Sequence, residues 1–237
     1  MSNIAIITAR GGSKRIPKKN IKNFCGKPII LYTIEAALKS GCFDEVMVST
    51  DDEDIAELAR EAGASVPFLR SEKTSDDFAT TIDVIEEVIS EYEKRQKYFE
   101  HACVLYPTAP FVTSEKIKKA METLLEEKVD SVFPIVKYAF PPQRAFLCRD
   151  GKIQYAQAEN AMKRSQDLEP MYHDCGQFCC FKIQVVLSKH TMVTDNTIGI
   201  VYPELEVQDI DNYEDWQMAE LKYTMMKEKN NVNSNRK

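Results

Sequence analysis

No stretch of this 237-residue chain approaches the roughly 20 consecutive apolar residues that a membrane-spanning helix requires, so a helical membrane protein is excluded. Nor does the amino end read as a signal peptide. Met1-Ser2-Asn3-Ile4-Ala5-Ile6-Ile7 lacks a positive leader, its apolar run is short, and basic residues follow where a small-residue cleavage site would stand. There are only seven cysteines, an odd number, and no Cys-x-x-Cys pair, which argues against both a disulfide framework and a zinc ribbon. They are expected to be reduced and mostly core-filling, with adjacent Cys179 and Cys180 pointing to opposite faces of a strand. A cytoplasmic location follows as the expectation. No internal repeat is visible, and 43% hydrophobic with 29% charged residues leaves no room for a disordered, coiled-coil or fibrous class.

Two phosphate-binding signatures are missing as well. There is no Gly-x-x-x-x-Gly-Lys-Ser/Thr loop and no Gly-x-Gly-x-x-Gly turn. The most informative absence is of negative charge: residues 1–34 contain no acid, yet hold Arg10, Lys14, Arg15, Lys18, Lys19, Lys22 and Lys27. Taking those seven from 31 basic residues leaves 24 against 37 acidic ones in the remainder. A localised cationic loop on an acidic protein suits a compact anionic ligand, not a nucleic-acid surface.

What is present reads as an alternation of strands and helices. Residues 3–8 form a short β-branched run suited to a buried parallel strand. Pro28 is placed at the opening of a helix whose stripe is Ile30, Ile34, Ala37 and Leu38, with Gly41 as its C′ residue. Val46 to Val48 give the next strand, and Thr50-Asp51-Asp52-Glu53 has capping-box spacing ahead of Ile55, Leu58, Ala59 and Ala62. A stripe from Thr81 to Tyr92, a strand at Ala102–Leu105, a helix from Ser114 and a strand at Val132–Val136 continue the rhythm. Between residues 139 and 176 it breaks, and an inserted lobe is expected there. Gln177 to Val186 and Thr197 to Tyr202 read as strands, and the last helix carries Trp216, Ala219, Tyr223 and Met226 on one face. One domain over 1–228 and a flexible tail over 229–237 complete the expected organisation.

Two constellations carry chemistry. The loop Thr8-Ala9-Arg10-Gly11-Gly12-Ser13-Lys14-Arg15-Ile16-Pro17-Lys18-Lys19-Asn20 follows the first strand, where open α/β sheets bind ligands. Gly11 and Gly12 could turn amides inward as an anion nest, and Arg10, Lys14 and Lys19 supply charge for a polyphosphate. The lesser alternative for the loop taken alone is a solvated basic segment, which the absence of any acid before Glu35 disfavours. Near the other end, Asp209 and Asp211 are two residues apart in Val207-Gln208-Asp209-Ile210-Asp211, so an extended backbone points both carboxylates one way. Such a pair suits Mg2+, which takes one or two carboxylates beside phosphate oxygens and water. Asp211 could instead N-cap the final helix while Asp209 is solvated.

In this order and spacing, the two constellations resemble the acylneuraminate cytidylyltransferases. Ser49-Thr50-Asp51, the stretch from Arg70 to Thr81 and Tyr106-Pro107-Thr108-Ala109-Pro110 match further blocks, so the likeness spans most of residues 3–228. Tyr106 to Phe111 and Asp174-Cys175-Gly176-Gln177-Phe178 look most like the pseudaminic acid branch. The sialic acid enzymes typically carry Gln and Arg where this chain has Tyr106 and Val112.

The resemblance implies an α/β, three-layer, mostly parallel sheet of the Rossmann-like nucleotide-diphospho-sugar transferase type, with 139–176 as an inserted dimerisation lobe. It implies an enzyme that joins CMP from CTP to a nine-carbon 2-keto acid sugar, with Mg2+ as cofactor and a homodimer as assembly. CTP would lie on Ala9, Arg10, Gly11, Gly12, Ser13, Lys14, Lys19 and Asn20, with Arg70, Ala79 and Thr81 around ribose and base. The sugar would lie near Tyr106, Gln143, Arg144, Asp174 and Gln177. Asp209 and Asp211 would hold the metal, and Arg10, Lys14, Lys19 and the two aspartates would be catalytic. No histidine looks placed as a base: His101 starts a strand, His190 lies in a loop and His173 precedes Asp174. For the pseudaminic branch, flagellin or surface-polysaccharide glycosylation is implied. Legionaminic or N-acetylneuraminic acid as the sugar, another sugar-1-phosphate nucleotidyltransferase, and a non-catalytic nucleotide-binding regulator are the rivals. The last has no use for paired aspartates.

Overall fold

The computed structural model describes residues 2–234, with backbone alone for 230–234. In chain order the elements are β1 (Asn3–Thr8), β2 (Asn23–Phe24), β3 (Lys27–Pro28), α1 (Ile30–Ser40), β4 (Glu45–Ser49), α2 (Glu53–Glu61), α3 (Thr81–Lys94), β5 (His101–Leu105) and α4 (Ser114–Glu126). There follow β6 (Ser131–Lys137), β7 (Phe146–Arg149), β8 (Lys152–Tyr155), β9 (Tyr172–Asp174), β10 (Phe178–Lys182), α5 (Ile183–Lys189), β11 (Thr197–Val201) and α6 (Tyr213–Ser234).

The central sheet runs in the order β11-β6-β10-β5-β1-β4, with β9 added beside β6. β1 pairs in parallel with β4 and β5, and β11 with β6, while β10 is antiparallel to both its neighbours and β9 to β6. Five of the seven strands therefore share one direction, and the expected mostly parallel sheet is found.

Alternation along the strands splits the core into two layers, as the period of two demands. Ala5, Ile7, Val46, Val48, Cys103 and Cys180 face α1, α2 and α4, whereas Ile4, Ile6, Met47, Val104 and Cys179 face α3 and α5. Cys179 and Cys180 do point to opposite faces. All seven cysteines are free; Cys148, exposed on β7, is the one well outside the core.

Several local readings need correcting. Pro28 does not open a helix. Cys25 and Gly26 both have positive φ, 45° and 110°, so Asn23–Pro28 closes as a two-residue hairpin, and α1 starts only at Ile30. Asp52, not Thr50, caps α2 by accepting from the Ile55 amide, and Thr50 Oγ1 accepts from the Asp52 amide. The run from Gln177 to Val186 is strand only as far as Lys182 and then turns into α5. Apolar runs this short do not distinguish the two by period. The stripe Trp216, Ala219, Tyr223, Met226 does pack on one face, against Phe24, Tyr32 and Phe111. The helix that carries it continues past 228 to Ser234; of the expected tail, residues 235–237 lie outside the described residues.

The lobe leaves the sheet after β6 and returns through β9. It contains the β7–β8 hairpin, which pairs with no strand of the main sheet, and short 3-10 turns. Among the described residues, no helix is long and apolar enough to cross a membrane.

Candidate active site

β1 has β4 on one side and β5 on the other, so the chain changes direction across the sheet at β1, and loops leaving β1 and β5 open a crevice beyond their carboxyl ends. A cleft of about 430 Å³ lies there. It is lined by Thr8, Arg10, Ser13, Lys14, Arg15, Ile16, Lys19 and Asn20 from the first loop, and by Tyr106, Pro107 and Thr108 after β5. Asp174 and Gly176 beside β10, with Asp209 and Asp211 ahead of α6, complete the lining.

The two constellations from opposite ends of the chain meet in this cleft. Arg15 Nη2 is 2.7 Å from Asp211 Oδ1, and Lys19 Nζ donates to the Ile210 carbonyl at 2.6 Å. Burial pushes the Lys19 ammonium down, and the nearby charges of Asp211 and Asp209 oppose that shift. Burial and the like charge of Asp211 push the Asp209 carboxyl up, only partly offset by Lys19. Asp211 does not cap α6. The side chain of Asn212 takes the amides of Glu214 and Asp215, and Asp215 in turn accepts from the amides of Asp211 and Asn212. Both carboxylates thus line the cleft, and their mutual repulsion is what a hard divalent cation would relieve. No group of three or more His, Cys, Asp or Glu suited to a metal is found among the described residues. A two-carboxylate donor set completed by phosphate and water fits Mg2+.

The cationic side chains of the loop are matched internally. Asp77 reaches Arg10 Nη1 at 2.9 Å and Lys14 Nζ at 2.5 Å, Arg10 also donates to the Asp76 carbonyl, and Lys18 pairs with Asp54. The Asp77 carboxyl is held below its usual range by the Lys14 hydrogen bond. These partners are exposed, so each pair contributes little and yields readily to a more highly charged ligand. Asn20 Nδ2 ties the loop to itself through the Arg10 carbonyl at 2.8 Å.

Gly11 is placed differently from the anion nest anticipated. The Gly11 amide donates to Asp51 Oδ1 at 2.8 Å, and a Cβ there would lie 2.6 Å from Asp52 Oδ2. Gly11 is required for close approach to the start of α2, and its N–H is already used. Ala9, Gly11 and Gly12 do not line the cleft.

Of the other anticipated residues, Arg70 is buried behind the site. Its Nε donates to Ser49 Oγ at 2.9 Å and Nη2 to the Ser49 carbonyl, and desolvation brings its pKa down to about 10. It braces the end of β4 and does not line the cleft. Ala79 donates its amide to Asp76 Oδ1, and Thr81, at the start of α3, is a polar neighbour of the Tyr106 phenol. Neither lines the cleft. Tyr106 and Asp174 do: the Tyr106 phenol is pushed up by burial and by Asp174, and the Asp174 carboxyl is pushed up by burial. Gln143 and Arg144 stand apart in the lobe, where Gln143 donates to the Glu169 carbonyl and Arg144 lines an apolar hollow with Phe140 and Phe146. Gln177 is fully buried and donates to the Glu206 carbonyl at 2.8 Å, so it faces the interior. No histidine lines the cleft. His101 is buried in β5, His173 packs on Tyr138, and His190 contacts Glu86.

Residues not anticipated for the site are Thr8, Arg15, Ile16, Pro107, Thr108 and Gly176. Arg15 lies four residues before Lys19 in the same cationic run, which was a usable signal. Gly176, at φ 62°, approaches Asp209 so closely that a Cβ would sit 3.2 Å from its Cγ, a long-range contact with no local signature.

A family model described as cytidylyltransferase matches residues 4–234. A pseudaminic acid cytidylyltransferase of Campylobacter jejuni is 40% identical over 224 residues, covering 94% of this chain and 97% of that one. A CMP-N,N'-diacetyllegionaminic acid synthase of Legionella pneumophila is 34% identical, covering 92% and 94%. Among solved structures, a CMP:2-keto-3-deoxy-manno-octonic acid synthetase complexed with CTP superposes with a TM-score of 0.67 over 96% of this chain and 100% of that one, at 15% identity, a likeness of fold.

Proposed function

The chain belongs to the cytidylyltransferase family, and from that premise we propose that it transfers CMP from CTP to pseudaminic acid, a nine-carbon acidic sugar, with release of pyrophosphate. The observation that carries this reading is the meeting of Arg15 and Lys19 with Asp209 and Asp211 at one cleft. A triphosphate needs cations, and a metal-binding pair needs carboxylates close to them. Phosphoryl-type transfer asks the protein for positioning and charge neutralisation more than for covalent help.

Arg10, Lys14 and Lys19 bind the phosphates, the triphosphate replacing Asp77 on the first two. Lys19 is the one that burial and the Ile210 carbonyl fix in place, so it offers a preorganised charge to the leaving pyrophosphate. Asp209 and Asp211 would hold Mg2+, which when bound neutralises phosphate oxygens and lowers the pKa of a hydroxyl beside it. Tyr106 and Asp174 line the same cleft and bind the sugar. The anomeric hydroxyl attacks the α-phosphorus in line, forming the new P–O bond as the bond to pyrophosphate breaks, and its proton passes to solvent water.

The choice of pseudaminic acid draws on the 40% identical relative and on Val112. That side chain is buried in the main core, so the cation typical of sialic acid enzymes has no counterpart here. Gln143 and Arg144 can serve a sugar site only from a neighbouring subunit, and we assign the lobe to a homodimer contact on that basis. Phe140, Ile153 and Met162 are 87%, 65% and 95% exposed on it, surface that a second copy would cover.

The test is pyrophosphate release with CTP, Mg2+ and, in turn, pseudaminic, legionaminic, N-acetylneuraminic and ketodeoxyoctonic acids. Turnover of pseudaminic acid at least about tenfold above the others is expected, the discrimination that one or two pocket contacts supply. Preference for another of the four overturns the sugar assignment, and no release with any of them overturns the reaction.

A further inference from the structure

The segment from Pro203 to Asn212, which bears Asp209 and Asp211, pairs with no strand of the sheet. Backbone amides hold the carbonyls of Pro203 and Asn212, and side chains hold several of those between. Gln177 Nε2 donates to the Glu206 carbonyl at 2.8 Å, Lys222 Nζ to those of Glu204 and Val207 at 3.0 and 2.8 Å, and Lys19 Nζ to that of Ile210. Lys116, from the first turn of α4, is the least expected member. Its side chain is 7% exposed, its Nζ lies 3.1 Å from Glu206 Oε2 and 3.4 Å from the Glu206 carbonyl, and it sits 4.6 Å above the Tyr202 ring.

A lysine in such a place does not earn its position through stability. Burying its ammonium costs desolvation that the attraction to Glu206, whose side chain is 34% exposed, barely returns. Gln177 leaves its Oε1 buried without a partner, a further cost that calls for a reason. Both side chains converge on Glu206, three residues before Asp209. Gly176, next to Gln177, forms the wall against which the Asp209 carboxyl packs.

We infer that Lys116 and Gln177 are positioning residues for the reaction, clamping Glu206 so that Asp209 and Asp211 are delivered to the cleft in metal-binding geometry. This rests on the proposed role of the two aspartates. Neither Lys116 nor Gln177 lines the cleft. Residues that orient metal ligands from behind typically govern about 10–100-fold in metal affinity or activity.

The experiment is Mn2+ binding to the CTP-loaded protein by isothermal titration, alongside steady-state kinetics, for the parent, Lys116→Met, Lys116→Arg, Glu206→Gln and Asp209→Ala. Lys116→Met keeps the stem and removes the charge. It should weaken Mn2+ about tenfold or more and lower kcat by a similar factor, while KM for CTP stays within about twofold. Lys116→Arg should recover part of both losses, and Glu206→Gln, which perturbs packing least, should shift both in the same direction as Lys116→Met. A merely structural pair would lower Tm without that split. If Asp209→Ala loses Mn2+ while Lys116→Met and Glu206→Gln bind it as the parent does, the clamp is refuted and the metal site stands. If Asp209→Ala binds Mn2+ normally, the metal site falls and the clamp falls with it.

Discussion

In the cleft, Arg10, Lys14 and Arg15 each meet a carboxylate from a distant part of the chain, whereas in the lobe between Tyr138 and Met171 large apolar side chains stand in solvent. One copy of the chain thus pairs these three loop cations unaided but leaves its lobe uncovered. Exposed ion pairs are weak and exchangeable, so Asp77 yields at small cost to a more highly charged ligand. Exposed apolar area has no such substitute in water and is covered only by association.

The largest effect that would break this contrast is on turnover. Asp209→Ala and Asp211→Ala should each lower kcat by about 10²–10³, the size of a lost preorganised electrostatic contact, with circular dichroism unchanged. A loss under tenfold would remove the cleft from the chemistry. Next in size is assembly. Ile153→Glu places a charge on the exposed hairpin, and sedimentation should find the parent dimer weakened about thirtyfold or more, the scale of a central interface residue. A parent that sediments as a monomer would leave the lobe's apolar surface without the partner assigned to it.

The smallest effect separates function from stability within the cleft itself. Because burial and Asp211 raise the Asp209 carboxyl above its unfolded value of about 3.9, the folded state binds that proton more tightly. Ionised Asp209 therefore costs stability at neutral pH, and this cost is absent below the unfolded pKa, where the group is protonated in both states. Without metal, Asp209→Asn should raise Tm at pH 7, within the 2–4 °C that about 1 kcal/mol moves a chain of this size. The gain should shrink to nothing as pH falls below about 3.9 in thermal scans. A gain that grows on acidification would mean that the Asp209 carboxylate is stabilised in place.

The lobe and the cleft also differ in how legible they were. The basic loop and the aspartate pair were readable because charge asymmetry and two-residue spacing are local facts. The strands were readable because a buried parallel strand leaves an uninterrupted β-branched run. Gln177 and Arg70 read as ligand contacts yet serve as braces, since whether a polar side chain faces a cleft or a carbonyl behind it depends on elements far away in sequence. Lys116 carried no signal, being one lysine among several on an amphipathic helix until folding buried it against Glu206.

By itself, then, the order of residues determined the layered α/β fold and the two charged clusters, because periodicity and charge are properties of neighbouring positions, and the blocks that resemble the acylneuraminate cytidylyltransferases carried the family. Only the tertiary structure decided that those clusters share one cleft, that Gln143 and Arg144 stand away from it, and that a lysine and a glutamine hold the aspartate segment from behind. Those are contacts between residues as many as 196 positions apart, and nothing short of the folded chain brings them together.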